Sequence, residues 1–403
     1  MKLFYTTTNQ NNNTNIHSSQ LYKWNNTTNK KISSISTKKV CSNCPTLSLI
    51  QDNTKYNAFY ISGFAGTSTL AEYILNPLKQ FINLYKIFTV GVNTEYSTIC
   101  PLPKNITNEE FHYTSIYLIS QIVKKMTDDL DEILINQQNI PVILISHSLG
   151  YVCLTLLYTY SKYLKKIMDN PNSRLILLDP TGDTSYCNIS LPLIKDSFQF
   201  RDIAKKTNPY NSFYEEKNFK LTWYNYVYKN LPSLFTENEK KLNEFFYIQN
   251  SYLNGDAYTL SMIAYAINYL CFGEEYNTMI SNLGTKIKVI IPKNSPGCPP
   301  PNLESFSEIV SDAGHYFFVF KQKETLDIIT KFLNNSVYNK YLKSPNLYRE
   351  GYFNVTYNIK PIPIKFFKYI PEEELVKSKK CYSLDNSKNL LKINSYCDPT
   401  IIK

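Results

Sequence analysis

Apolar residues along the middle of this chain follow two alternating rhythms. Short continuous apolar runs at 57–61, 86–92, 142–145, 174–178, 286–291 and 308–310 predict strands covered on both faces, where polar alternation would be out of place. Between them, apolar residues recur at steps of three and four. Ile116, Ile119, Val123, Met126, Leu130 and Ile133 mark one amphipathic helix, and Thr107 with Glu110 ahead of it has the spacing of a capping box. Further helices are expected from Leu70 through Ile74 to Pro77, over 149–168, and over 325–333, where Leu326, Ile329 and Phe332 share a side. Strands alternating with helices of this length pair in parallel through right-handed crossovers. The fold class is therefore α/β, with a mostly parallel central sheet and helices on both faces.

The rhythm breaks over about 184–285, an insert dense in Tyr, Phe and Trp that reads as mainly helical, as in Leu221-Thr222-Trp223-Tyr224. Outside the alternation lie two flanks. Residues 1–52, rich in Asn, Thr and Ser, are expected to be a disordered leader, 53–335 to form the domain with its insert, and 336–403 to be an irregular extension. Pro361 and Pro363 argue against a helix in that extension.

Charge changes the picture once it is located. Of a net +10, residues 1–56 carry seven Lys against one Asp, and 336–403 carry twelve basic against six acidic residues. The middle, 57–335, holds 24 basic and 26 acidic residues, which argues against a nucleic-acid groove. The flanks are expected to be solvated tails, with peripheral contact to an anionic membrane left open. The opening MKLFYTTTNQ lacks the apolar core of a secretory signal, and no segment is apolar enough to span a bilayer. Nine cysteines, an odd number without framework spacing, point to a reduced intracellular setting, the cytoplasm. Cys41 and Cys44 form a lone C-x-x-C whose only partners in the tail, Cys381 and Cys397, lack matching spacing, so no metal is expected.

The most apolar segment, 141–160, is interrupted by Ser146-His147-Ser148-Leu149-Gly150, where a buried strand should turn into a buried helix. A sharp corner there would project one side chain clear of the backbone, and the positions two before and two after it must be small. The stretch resembles the nucleophile elbow G-x-S-x-G of the α/β-hydrolase family, with Ser146 in place of the first Gly. That resemblance covers about 57–335 and implies Ser148 as nucleophile. A serine hydroxyl needs a base, and the chain has four histidines. His17 lies in the leader, His112 near the start of a helix on the outside of the sheet, and His147 inside the elbow, pointing away from Ser148. His315, in Ser311-Asp312-Ala313-Gly314-His315-Tyr316, stands where the family has its base.

For the orienting acid, the loop after the strand at 286–291 has no carboxylate before Glu304. Leu178-Asp179-Pro180 resembles the lipase branch of the family, where the acid follows the preceding strand, which makes Asp179 the choice with Asp183, Glu304 and Asp312 as alternatives. Ser62-Gly63-Phe64-Ala65-Gly66-Thr67 resembles the family's H-G-x-G loop. It implies an oxyanion hole from the N–H of Leu149 together with that of Phe64 or, second, Ala65. The expectation is thus a serine hydrolase acting on a small-molecule or lipid-like carboxylic ester, with the aromatic insert as a cap over an apolar pocket and no cofactor. Two other classes stay open: a hydrolase-like binding or structural protein without turnover, and an adaptor working through its basic flanks. Acyl group, leaving group and oligomeric state are not legible.

Overall fold

The computed structural model describes residues 22–23, 56–90, 102, 105–180, 191–208, 216–267, 273–294, 303 and 306–334. Six strands form a parallel sheet: β2 (Tyr56–Phe64), β3 (Ile82–Val90), β4 (Val142–His147), β5 (Arg174–Leu178), β6 (Ile287–Pro292) and β7 (Ser307–Val310). A two-residue strand, β1 (Tyr22–Lys23), pairs antiparallel with β3, and the order across the sheet is β1-β3-β2-β4-β5-β6-β7. The central strands β2, β4 and β5 are buried along almost their whole length, as their unbroken apolar runs require. Near the edge, β3 alternates instead, with Asn83, Tyr85 and Ile87 only half-buried.

Helices α1 (Ser68–Leu78) and α11 (Gln322–Asn334) pack together and reach β2, β3, β6 and β7. Helices α2 (Asn108–Leu134) and α3 (Gly150–Tyr160) also pack together, and α3 lies on β2 and β4. The predicted capping box is present at the start of α2: the Glu110 N–H donates to Thr107 Oγ1 at 3.1 Å and the Thr107 N–H to Glu110 Oε2 at 3.0 Å. One expectation needs correction. The single helix over 149–168 is two, α3 and α4 (Leu164–Met168), because Ser161 turns to extended backbone, bonds Asp131 of α2 through its hydroxyl, and accepts the Leu164 N–H at 3.0 Å.

Between β5 and β6 runs the helical insert: α5 (Leu191–Thr207), α6 (Glu216–Asn230), α7 (Asn243–Asn254), α8 (Ala257–Ile267) and α9 (Gly273–Leu283). Helix α8 is buried along nearly all its length between α5 and α2. Trp223 anchors the insert internally, its indole N–H donating to the Tyr252 carbonyl at 2.8 Å. The short helix α10 (Phe317–Phe320) precedes α11.

Candidate active site

Register brings the carboxyl ends of three strands together. Ile61 of β2 lies opposite Ser146 of β4, and His147 of β4 opposite Leu178 of β5. The chain then leaves β4 through a corner. Ser148 has φ 50°, the left-handed region that a residue with a Cβ enters only at a cost of roughly 1–2 kcal/mol. Its N–H is held by the Leu178 carbonyl at 3.0 Å. The demand for smallness on either side is visible. A Cβ on Gly150 would stand 2.3 Å from the Ile61 carbonyl oxygen, so α3 can start this close to β2 only with glycine there. At the other small position, Ser146 fits and is fully buried, with its hydroxyl lacking a hydrogen-bond partner among the described residues.

Directly beside this corner, β5 is followed by Asp179, which is itself left-handed at φ 42° and donates its N–H to the Ile290 carbonyl of β6 at 2.8 Å. Its buried carboxylate meets the imidazole of His315, with Oδ2 2.5 Å from Nδ1. Sequence placed these two residues 136 positions apart; the turns after β5 and β7 close the gap. Of the alternative acids, Asp312 sits exposed at a left-handed turn, while Asp183 and Glu304 lie outside the described residues.

His147 packs against the same imidazole, with ring centroids 4.6 Å apart, and also against Tyr316 and Phe318. Its Nε2–H donates to the His315 carbonyl at 3.1 Å. Burial and the neighbouring His315 hold the His147 imidazole well below its ordinary pKa, so it is a neutral prop. Glycine at position 63 is required by this packing: a Cβ there would meet His147 Nδ1 at 2.8 Å and the Ser148 Cβ at 2.9 Å. His112 is buried elsewhere, with Nδ1 3.2 Å from the Tyr265 hydroxyl of α8; His17 lies outside the described residues.

The loop after β2 is a tight turn closed by the Gly66 N–H on the Gly63 carbonyl at 3.0 Å, with Ala65 at φ 55°. Ser62, where the resembling loop has His, is buried and accepts the Val90 N–H at 3.1 Å. Among the described residues, the N–H groups of Ala65 and Leu149 donate to no backbone carbonyl. Phe64, at the end of β2, stays paired with Val90 of β3.

Sequence reasoning missed a set of residues on the insert. Glu239 reaches the Gly314 N–H with both carboxylate oxygens at 3.1 Å, and the Leu234 carbonyl accepts the His315 N–H at 2.8 Å. Phe235 stacks on Tyr316 at 5.3 Å and 10°, the Tyr252 hydroxyl meets that of Tyr316 at 2.7 Å, and Ser251 Oγ donates to the Ala65 carbonyl at 2.8 Å. One signal was available: Thr236-Glu237-Asn238-Glu239 has capping-box spacing, and both of its hydrogen bonds form, which fixes where the Glu239 carboxylate points. With the insert in place, Ser148 and His315 are 7% and 5% exposed.

No family model matches this chain, and no curated protein does. Solved structures do resemble it. One is a thermophilic esterase from Thermogutta terrifontis, with a TM-score of 0.46 and 14% identity over 70% of this chain and 90% of that one. The enol-lactonase from Burkholderia xenovorans gives 0.45 and 10% over 70% and 92%, and a hydrolase from Oleispira antarctica 0.42 and 15% over 72% and 98%. In its own topology the chain has the α/β-hydrolase fold: a parallel sheet wrapped by helices, with a left-handed corner between β4 and α3 and a helical insert after β5.

Proposed function

We propose that this chain is a serine hydrolase that cleaves a carboxylic ester, with Ser148, His315 and Asp179 as its triad. The observation that carries the reading is the 2.5 Å contact between Asp179 and the His315 Nδ1, formed beside a left-handed serine at the strand–helix corner. Ser148 Oγ attacks the ester carbonyl while His315 Nε2 takes its proton. Asp179 accepts from Nδ1–H, which fixes the tautomer and stabilises the imidazolium that forms. The tetrahedral oxyanion is met by the N–H of Leu149 and that of Ala65 or Phe64. Collapse expels the alcohol, protonated by His315, and water then releases the acyl group by the same route in reverse.

The substrate class is read from the surroundings. The apolar side chains of Val90, Leu149, Cys153, Ile263 and Ile267 meet between α2, α3 and α8 beside the residue that follows the nucleophile, around a gap of only about 10 Å³. It is the apolar character of these walls and of the aromatic cap, not the size of the gap, that favours an acyl chain or another lipid-like group over a polar acid. The test uses a fluorophosphonate probe on the full chain. Labelling of the wild type that vanishes in Ser148→Ala is expected, followed by turnover of p-nitrophenyl esters whose chain-length preference reports the pocket. The near-complete burial of Ser148 and His315 favours a second reading, a binder that keeps the fold without turnover. Absence of labelling on a folded wild type would decide for it.

A further inference from the structure

Two consecutive backbone N–H groups in the histidine loop, those of Gly314 and His315, take their acceptors from the insert and not from the sheet. Glu239 supplies one of them and is itself 4% exposed, so its carboxylate is committed to this contact and to the Thr236 N–H at 2.7 Å. The approach is close enough to dictate the sequence of the loop. A Cβ on Gly314 would lie 2.4 Å from the Leu234 carbonyl oxygen and 2.7 Å from Glu239 Oε2. On its other side the loop is propped from the sheet side by the His147 Nε2–H on the His315 carbonyl and by the Asn294 N–H, just past β6, on the Ala313 carbonyl at 3.4 Å. The imidazole is therefore set against Asp179 from two directions, one belonging to the scaffold and one to the cap.

We propose that Glu239 is a positioning residue: by holding the Gly314 N–H from the cap, it keeps His315 in register with Asp179 and Ser148, so that the base is assembled only while the cap is seated. This deepens the hydrolase reading and rests on it for its kinetic consequence. Removing the carboxylate leaves the buried Gly314 N–H and the half-buried Thr236 N–H without an acceptor, and the loop must shift to find water. A shift of about 1 Å in a catalytic group can cost around a hundredfold in rate.

The experiment compares wild type, Glu239→Ala and Glu239→Gln in the full chain, with Glu237→Ala, at an exposed neighbour, as control. Two signals are read: kcat and KM for a p-nitrophenyl ester, and the far-downfield proton resonance of the His315 Nδ1–H held by Asp179. Glu239→Ala is expected to lower kcat about a hundredfold with KM within about threefold, and to move or broaden the downfield resonance. Glu239→Gln, which keeps one acceptor oxygen, should fall between wild type and the alanine variant, with kcat about tenfold down and a smaller shift of the resonance, and the control should match wild type. A folded Glu239→Ala with wild-type kcat and an unmoved resonance overturns the proposal. Should the alanine variant fail to fold, the glutamine variant decides: a partial kcat loss with a perturbed resonance supports the positioning role, and wild-type values for both overturn it. Because the resonance needs no turnover, a wild type that the probe never labels would sink the hydrolase reading while leaving the test of Glu239 intact.

Discussion

The imidazole of His147 sits where a proton would be costly: buried, against a second imidazole, with its one polar contact using Nε2 as donor. Its folded pKa lies well below the ordinary 6.5. As pH falls through 6.5 the unfolded chain binds a proton that the folded chain refuses, so stability is present above that value and is lost below it, at up to about 1.4 kcal/mol per pH unit. Denaturant unfolding followed from pH 8 to pH 5 should show this slope. His147→Gln, which can still donate to the His315 carbonyl, should flatten it by about one proton; an unchanged slope would show that His147 already titrates normally. At Asp179 the expectation is kinetic. Asn keeps the shape but presents the wrong partner to Nδ1, so Asp179→Asn should lower kcat by about 10⁴ while leaving fluorophosphonate labelling slowed but present. A near-silent Asp179→Asn would instead move the acid to another carboxylate.

Among the elements, α2 is the longest described helix, and it begins on a fully formed capping box at the protein surface. Thr107→Ala should cost about 1 kcal/mol, read as a lower denaturant midpoint at unchanged slope, because one first-turn N–H loses its acceptor while nothing in the core moves. Two features explain how α3 can start from the left-handed corner at Ser148. It is apolar on nearly every side, so packing and not amphipathicity holds it, and Gly150 lets its first turn touch β2. Its end at Ser161 is set by a neighbour: Asp131 of α2 captures the hydroxyl, and the backbone turns out of the helix.

On the scale of the whole molecule, scaffold and insert share one apolar core that runs from β2 through α3 to α8. Cys153 lies within it, 5% exposed, and burial pushes its thiol up to about 12. At pH 8 iodoacetamide should leave the Cys153 peptide unmodified in the folded protein by mass spectrometry. Its modification in urea should track loss of the global fold, since Cys153 lies in the buried first turn of α3 beside Ile263 and Ile267 of the insert. Modification under native conditions would mean that the insert lifts off the sheet as a separate unit. No described helix is long and apolar enough to cross a membrane.

Wherever covalent periodicity carries the information, the sequence alone determined the outcome. Runs buried on both faces gave β2, β4, β5 and β6, steps of three and four gave α2 and α11, and Thr107 with Glu110 gave a cap, because each is decided by residues within a few positions. Ser148 was legible as a corner for the same reason: small neighbours between a strand and a helix are a local demand. Pairing Asp179 with His315 came from resemblance, and only the register of β4, β5 and β6 brings the two into contact. The break at Ser161 and the neutral His147 had no such signal, and the capping-box spacing of Thr236 and Glu239 pointed to the carboxylate but not to its hold on Gly314, since each depends on a partner or a surface supplied from far along the chain. Backbone hydrogen bonds that leave their own element are chosen by what folding brings near, and that choice belongs to the tertiary structure.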